Sequence, residues 1–145
     1  MKRLLLFAPF LIAAKPANTD YLAAGRWQSI FQIESSSTDI KKHHDKSKPV
    51  YQTRCVKEAD SAPMTFFSYS ADRECKVDSL KAKKGKVTLS VLCTPSDVPP
   101  SIIEAKGRYD QHHYSLAFSM HDSKVAVKGH ITGDYKGECN TFDIF

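Results

Sequence analysis

The feature that most constrains the fold is the position of two cysteines around a glycine turn. Cys75 and Cys93 flank the triplet Lys83-Lys84-Gly85. A three-residue hairpin loop needs a left-handed residue at its last position, and glycine adopts that conformation without strain. Ala82 then pairs with Lys86, and equal steps back along both strands bring Cys75 opposite Cys93. The sequence therefore predicts a β-hairpin closed by a cross-strand disulfide.

The remaining two of the four cysteines are Cys55 and Cys139. An even number of cysteines in a small exported chain indicates a disulfide framework. A zinc site typically has pairs of cysteines separated by two to four residues, and no two cysteines here are that close. By exclusion, Cys55 is predicted to bond to Cys139.

The first residues indicate export. Lys2 and Arg3 precede the apolar run Leu4–Ala14, which is typical of a signal peptide and much shorter than the ~20 residues of a membrane-spanning helix. A buried N-terminal strand and a mis-assigned start are the alternatives. We expect a signal peptide over residues 1–17, cleaved between residues 14 and 17, and a single β domain over residues 18–145. That domain is expected to be periplasmic or secreted in a bacterium.

Alternation of apolar and polar residues predicts strands on both sides of a polar segment. Residues 25–34 have period two, with Trp27 and Phe31 on the apolar face, and predict a half-buried strand. Residues 35–48 are polar and basic without periodicity and predict a loop. Residues 49–55 predict a second short strand. Residues 56–73 have no clear pattern beyond the largely apolar run 64–69.

Three further strands are predicted within residues 102–133. Tight turns at Asp110-Gln111 and at Asp122-Ser123 place Phe118 opposite Val127. All charged side chains of this segment then lie on one face, and a one-residue slip would bury them. The apolar face collects Ile103, Ala105, Gly107, Tyr114, Leu116, Phe118, Met120, Val125, Val127, Gly129 and Ile131.

These segments together predict an all-β fold. Seven to eight short strands joined by hairpins are typical of an antiparallel meander, here forming a small barrel or a strongly bent sheet with two disulfides. No internal repeat and no second domain is indicated.

Five features of the chain form a recognisable set: the leader, Gly25-Arg26-Trp27, the segment Tyr51–Asp60 around the first cysteine, the two middle cysteines around a glycine turn, and Gly137-Glu138-Cys139. In these features the chain resembles the bacterial domain-of-unknown-function family 3617 over about residues 20–140. The resemblance implies an exported four-cysteine domain of this topology. The family is uncharacterised, so the resemblance carries no catalytic residue and no cofactor.

The Gly-x-Trp motif is also similar to that of lipocalin-like barrels, in which the tryptophan closes the floor of a ligand cavity. The similarity is confined to three residues, so a Trp27 that fills a solid core is favoured over one that closes a cavity. A cavity would be lined by aromatic and aliphatic side chains of the apolar faces. These candidate ligand-binding residues are Trp27, Phe31, Tyr114, Phe118 and Val127.

The chemistry-bearing residues form no catalytic pattern. No serine stands in a Gly-x-Ser-x-Gly context, a cysteine nucleophile would remove a disulfide, and the acidic residues are scattered. Among the six histidines, His113 and His130 are predicted to lie diagonally across two strands, without a third ligand beside them. We therefore expect no enzyme, no cofactor and no metal site.

The distribution of basic residues argues against nucleic acid as a partner. The formal net charge is +5, much of it in Lys41–Lys48 and Lys81–Lys86, and neither patch has the interleaved aromatics that stack on bases. Nucleic acid is therefore not expected, and solvated loops are favoured over contact with an anionic surface. A binding module for a small apolar ligand or an envelope component is the favoured function. The alternative is a solid-core protein that binds a protein partner through its surface or a sheet edge.

Overall fold

The computed structural model describes residues 21–38, 42–43, 46–68, 74–97 and 99–140. Eight strands account for most of them, together with a 3₁₀ turn at Glu58–Asp60 and one short helix, α1, at Pro63–Ser68. The predicted signal peptide, residues 1–17, lies entirely outside the described residues. The strands are β1 Gly25–Thr38, β2 Lys42–His43, β3 Val50–Val56, β4 Cys75–Lys83, β5 Lys86–Cys93, β6 Ser101–Tyr109, β7 His113–His121 and β8 Val125–Tyr135.

All strand pairs are antiparallel, and the sheet curls into a half-barrel. The strands β4 to β8 form a meander in which each pairs with the next. The last strand, β8, pairs with one edge of β1, and the other edge of β1 pairs with β3 and, at its end, with β2. Seven strands therefore lie side by side, with β3 and β4 at the two edges. The prediction of a strongly bent antiparallel meander is confirmed.

The first strand is longer than predicted. It continues beyond residue 34 to Thr38, and Lys42–His43 returns as β2, so part of the predicted loop is sheet. A bulge between Ile33 and Ser35 shifts the pairing with β8 by one residue. Because the bulge breaks the alternation of side chains, the serines that follow it have no periodicity that a sequence pattern could reveal.

The β4–β5 turn has two residues, which corrects the three-residue prediction. Lys83 pairs with Lys86, and both residues between them have positive φ, 52° at Lys84 and 72° at Gly85. Two successive left-handed residues define the type I′ turn, whose twist matches that of the flanking strands. Near the turn, the predicted pairing was therefore wrong by one residue.

A bulge restores the predicted pairing further along the same hairpin. The register shifts between Val77 and Ser79, so Asp78 is passed over, and Cys75 lies opposite Cys93. The structure contains disulfides Cys75–Cys93 and Cys55–Cys139, the same pairs that the sequence predicts.

The two later turns lie one residue beyond their predicted positions. Asp110 and Asp122 precede the turns rather than occupying their centres. The Oδ1 atom of Asp110 accepts hydrogen bonds from the backbone N–H groups of His112 and His113, both at 2.8 Å, and Asp122 caps its turn in the same way. Each cross-strand partner therefore moves by two positions, which leaves every side chain on its predicted face.

Two apolar clusters cover the concave face of the half-barrel. The first is centred on Trp27 and includes Phe66 and Phe67 of α1. The second lies beyond it along the strands and is centred on Phe118 and Val127. Helix α1 contacts β4, and the Nη1 atom of Arg54 in β3 donates a hydrogen bond to the carbonyl oxygen of Phe66. Helix α1, which lies in the segment 56–73 that had no clear sequence pattern, thus packs between the two edge strands.

Candidate ligand cavity

The concave face of the half-barrel contains a cavity of about 690 Å³. Its wall is built from inward-facing side chains of β1, β3 and β5 to β8, together with α1 and Cys75 of β4. All five side chains predicted to line a cavity lie on this wall: Trp27, Phe31, Tyr114, Phe118 and Val127.

Trp27 is one of the residues that line the cavity and is 1% exposed. Its indole Nε1–H donates a hydrogen bond of 2.8 Å to the carbonyl oxygen of Ala23, so the buried polar atom is satisfied. Its ring meets Phe66 edge-on at 5.2 Å and lies 5.7 Å from the Tyr114 ring. Trp27 therefore fills the core on one side and borders the cavity on the other.

The apolar part of the wall is incompletely covered. Phe31 stacks on Phe118 with ring centroids 4.7 Å apart. Phe31, Ile33, Ile103 and Met120 all line the cavity, yet each is only half-buried. Inward-facing apolar side chains of a closed core are normally buried, whereas the described residues leave these four partly exposed.

Polar groups occupy one side of the wall. The hydroxyl groups of Ser29 and Tyr114 share a hydrogen bond of 2.7 Å. Gln52 and Arg54 of β3 pair with Ser29 and Trp27 of β1, which places them on the same concave face. The guanidinium carbon of Arg54 lies 5.3 Å from the centroid of the Phe66 ring.

Burial raises the pKa of the Tyr114 phenol above its ordinary value. The hydrogen bond with Ser29 and the positive charge of Arg54 act in the opposite direction, but desolvation is the larger effect. Tyr114 is therefore a neutral hydroxyl at physiological pH and offers the cavity both a hydrogen-bond donor and an acceptor.

The chain can now be placed among known proteins. The family described as "Protein of unknown function (DUF3617)" matches residues 22–139, from the start of the first core cluster to the last cysteine. The chain belongs to the DUF3617 family. No curated protein and no solved structure matches this DUF3617 domain.

The histidines of the DUF3617 domain do not lie as predicted. His113 is opposite Asp134, and His130 is opposite Ala117, so the two histidines are not diagonal neighbours. The reason is the two-position shift of the β7–β8 pairing. The Nδ1 atom of His113 lies 2.8 Å from Oδ1 of Asp134, and that of His130 lies 3.0 Å from Oε1 of Glu34.

These contacts are exposed histidine–carboxylate pairs on the convex face. The hydrogen bond from His113 is the main reason that the pKa of Asp134 is held below its ordinary value. In the described parts of the chain, no three histidine, cysteine or acidic side chains come together as metal ligands would. None of the helical segments described is long and apolar enough to cross a membrane.

On the polar side of the DUF3617 cavity, sequence reasoning found Tyr114 but missed the residues of β3. In β3, residues of both faces are polar, so alternation alone does not show which of them point inward. The inward face of β3 can be found from its pairing with β1. Trp27 points inward, and Arg54 is its cross-strand partner, so Arg54 lies on the same face. That pairing depends on the connection between the two strands, which has no regular pattern.

Proposed function

We propose that this DUF3617 domain is a non-enzymatic binding module whose cavity holds a small apolar ligand or an apolar part of an envelope component. The observation that carries the proposal is the row of half-buried apolar side chains on the cavity wall. A cavity of about 690 Å³ lies within the range of about 300–1,000 Å³ that is usual for small-molecule sites. A mostly apolar wall with a few polar groups on one side is also typical of such sites.

The proposal is non-enzymatic because of the polar groups that the wall offers. Ser29 is a serine of the cavity wall, and its hydroxyl is hydrogen-bonded to the neutral phenol of Tyr114. A neutral phenol is a poor general base, so it would not activate the serine as a nucleophile. Cys75, which lines the wall, is in a disulfide with Cys93. The wall can bind and orient a ligand, but it lacks an activated nucleophile.

Two neighbouring residues of β6 allow a matched test. Ile103 faces the cavity, whereas Ile102 is on the convex face and is 40% exposed. We expect Ile103→Trp to fill part of the cavity and to weaken binding of the neutral fluorescent probe N-phenyl-1-naphthylamine by about tenfold, which corresponds to ~1.4 kcal/mol. Ile102→Trp should bind the probe as the unmodified protein does.

Titration of the three proteins followed by probe fluorescence measures this difference. Thermal melts check that both variants are folded. Equal binding by both variants, or no binding of the probe by the unmodified protein, would contradict the cavity proposal. Native mass spectrometry of protein purified from its own host would then identify any ligand that remains bound.

A second candidate function rests on the β3 edge. Val50 and Tyr51 are the first two residues of this edge strand and lie on opposite faces of the sheet. Their side chains are 53% and 60% exposed. An exposed edge with apolar side chains can accept a strand from a protein partner. Such a partner's binding would be insensitive to Ile103→Trp and would be weakened by Tyr51→Lys.

The proposed compartment is the bacterial periplasm or the extracellular medium. The basic and apolar first residues and the two disulfides support it, because disulfides persist in oxidising compartments. We expect the mature protein to begin between residues 15 and 18. N-terminal sequencing of protein from the native host measures this, and a soluble protein that retains Met1 would rule the signal peptide out.

A further inference from the structure

Ser29 and Tyr114 meet across a glycine in the wall of the cavity. Both residues lie opposite Gly133 of β8, Ser29 from β1 and Tyr114 from β7. A Cβ atom on Gly133 would collide with the ring and the hydroxyl oxygen of Tyr114, so the missing side chain lets this ring lie over the backbone of β8. The two hydroxyl oxygens thereby come within 2.7 Å of each other. Three neighbouring strands therefore fix the position of the hydroxyl pair.

The Ser29–Tyr114 pair carries one hydroxyl proton more than it uses. Two hydroxyl groups have two donor protons, and the hydrogen bond between them uses one. Within the described parts of the chain, neither hydroxyl makes a second hydrogen bond. Tyr114 is 7% exposed, so the remaining proton has little access to bulk water. A buried donor without an acceptor costs free energy, and an acceptor oxygen on a molecule in the cavity would remove that cost.

The net environment of the pair disfavours a negative charge. Desolvation raises the pKa of the Tyr114 phenol, although the hydrogen bond with Ser29 and the positive charge of Arg54 both act to lower it. The influence of Arg54 is therefore already included in a net shift that disfavours the phenolate. An anionic group beside the phenol would lose its hydration in the same way, whereas a neutral carbonyl oxygen has a much smaller desolvation cost.

The pair lies toward the more buried end of the cavity. Trp27 precedes Ser29 on the same face of β1 and is 1% exposed. In the other direction along β7, Met120 lies ~20 Å from Tyr114 at the usual rise of about 3.3–3.4 Å per residue. Met120 and its cross-strand partner Ile103 are only half-buried. The wall therefore suits an elongated apolar chain whose polar atom lies at the buried end.

We propose that the ligand is a neutral chain molecule with a carbonyl oxygen at one end, and that the Ser29–Tyr114 pair recognises this oxygen. The inference rests on the proposed function, because it names a chemical class for the ligand of the same cavity. The unused hydroxyl proton of the pair is donated to the carbonyl oxygen. The chain lies along the apolar wall toward Ile103 and Met120. Ketones and fatty acid esters share this chemistry.

Removal of both hydroxyl groups tests the proposal. Ser29→Ala/Tyr114→Phe deletes two hydrogen-bond partners together, so neither is left unpaired and the fold should be retained. We expect the dissociation constant of 2-undecanone, measured by displacement of N-phenyl-1-naphthylamine, to rise about tenfold, because its buried carbonyl then lacks a donor. The naphthylamine probe has no carbonyl oxygen and should bind the variant and the unmodified protein equally. Methyl decanoate is titrated in parallel, and the stronger ligand distinguishes a ketone from an ester.

A matched control removes the same two functional groups from the convex face. Tyr51→Phe/Ser115→Ala changes an exposed tyrosine of β3 and the serine that follows Tyr114 in β7. This control should bind 2-undecanone as the unmodified protein does. The single variants Ser29→Ala and Tyr114→Phe each leave one hydroxyl whose proton is available to the ligand. Each should therefore lose less affinity for the ketone than the double variant loses.

The carbonyl stretching frequency of the ligand gives a readout that does not depend on the variants. Infrared difference spectra are recorded for 2-undecanone, isotopically labelled at the carbonyl carbon, in cyclohexane and bound to the unmodified protein. We expect the band of the bound ketone at a lower frequency than in cyclohexane, because an accepted hydrogen bond weakens the carbonyl bond. A band at the cyclohexane frequency would overturn the assignment.

The possible outcomes separate the two proposals. If the probe binds but the ketone does not displace it, or if the double variant binds the ketone unchanged, the carbonyl assignment is overturned and the apolar cavity stands. An equal loss of ketone affinity in the convex-face control would overturn the assignment as well. Absence of probe binding to the unmodified protein would overturn the cavity itself. If the double variant does not fold, the infrared band decides.

Discussion

Gly129 shows how one residue shapes the cavity. It lies opposite Phe118 on one side and opposite Ile33 on the other. A Cβ atom at this position would meet the Phe118 ring and the backbone carbonyl oxygen of Gln32. The missing side chain lets the Phe118 ring lie over the backbone of β8, where it stacks on Phe31 and borders the cavity.

We therefore expect Gly129→Ala to lower the free energy of unfolding by about 1–3 kcal/mol, the usual cost of adding a methyl group to a filled site. Phe118 must move toward the cavity to make room, so binding of the naphthylamine probe should weaken as well. Urea unfolding and probe titration measure the two effects. Lys128→Ala, at the next residue on the exposed face, should change the free energy of unfolding by less than about 0.5 kcal/mol. If Gly129→Ala is as stable as this control, the added methyl group is accommodated without displacing the Phe118 ring, and the prediction is wrong.

At the same scale, the sequence predicted the apolar side of the cavity and, of the polar side, only Tyr114. Phe31, Tyr114 and Phe118 were predicted because period-two alternation fixes which face each side chain takes, even when the cross-strand partner is off by two residues. Arg54 was missed because alternation within β3 does not separate an inner from an outer face. Its role depends on a long-range pairing with Trp27 that local patterns do not encode.

At the scale of elements, the turns show why pairing is harder to predict than strand position. Asp110 and Asp122 were placed in the turn centres, whereas each caps the turn from the preceding position through its carboxylate. In the β4–β5 hairpin, a shorter turn and a bulge at Asp78 cancel, so the cysteines meet as predicted for a partly wrong reason. A bulge has no distinct sequence signature here, because it changes one local conformation and leaves the composition of the strand intact.

The two disulfides give a prediction for these elements. The Cys55–Cys139 bond spans 84 residues, and the Cys75–Cys93 bond spans 18. In the chain-entropy model, the longer loop contributes about 4.5 kcal/mol and the shorter one about 3 kcal/mol. We therefore expect Cys55→Ser/Cys139→Ser to destabilise the domain more than Cys75→Ser/Cys93→Ser.

Chemical denaturation of the two double variants measures this order. Non-reducing peptide mapping of the unmodified protein provides the control, since it should recover only peptides that join Cys55 to Cys139 and Cys75 to Cys93. A larger loss for the hairpin variant would indicate that the disulfide at the cavity wall acts through packing rather than through loop closure. A peptide joining Cys55 to Cys75 would contradict the β4–β5 register.

At the scale of the whole molecule, the sequence predicted a bent meander but did not decide between a closed barrel and an open sheet. Closure depends on whether β3 meets β4, and α1 packs between them instead. The residues that form α1 include Pro63 and the aromatic pair Phe66 and Phe67, whose apolar content fits a helix or a strand equally well. The helix places Phe66 and Phe67 in the core cluster around Trp27, a tertiary contact that the local sequence does not encode.

The two edges of the open sheet are protected unequally. Strand β4 has a bulge and the exposed lysines Lys76, Lys81 and Lys83, which are features that discourage pairing with another sheet. Strand β3 has neither, and its first residues are exposed and apolar. Any association of the domain through its sheet is therefore expected at β3.

Each edge strand also carries one cysteine of a disulfide, Cys55 in β3 and Cys75 in β4. Edge strands ordinarily fray first, since they have hydrogen-bonded neighbours on one side only. Here a covalent bond holds each of them, whereas α1 between them is held by side-chain packing and hydrogen bonds. We therefore expect local opening of the native state to begin at the helix rather than at either edge strand. Reduction of the disulfides would release the two edge strands, so that local opening would then begin at β3 and β4 and would disrupt the wall of the cavity.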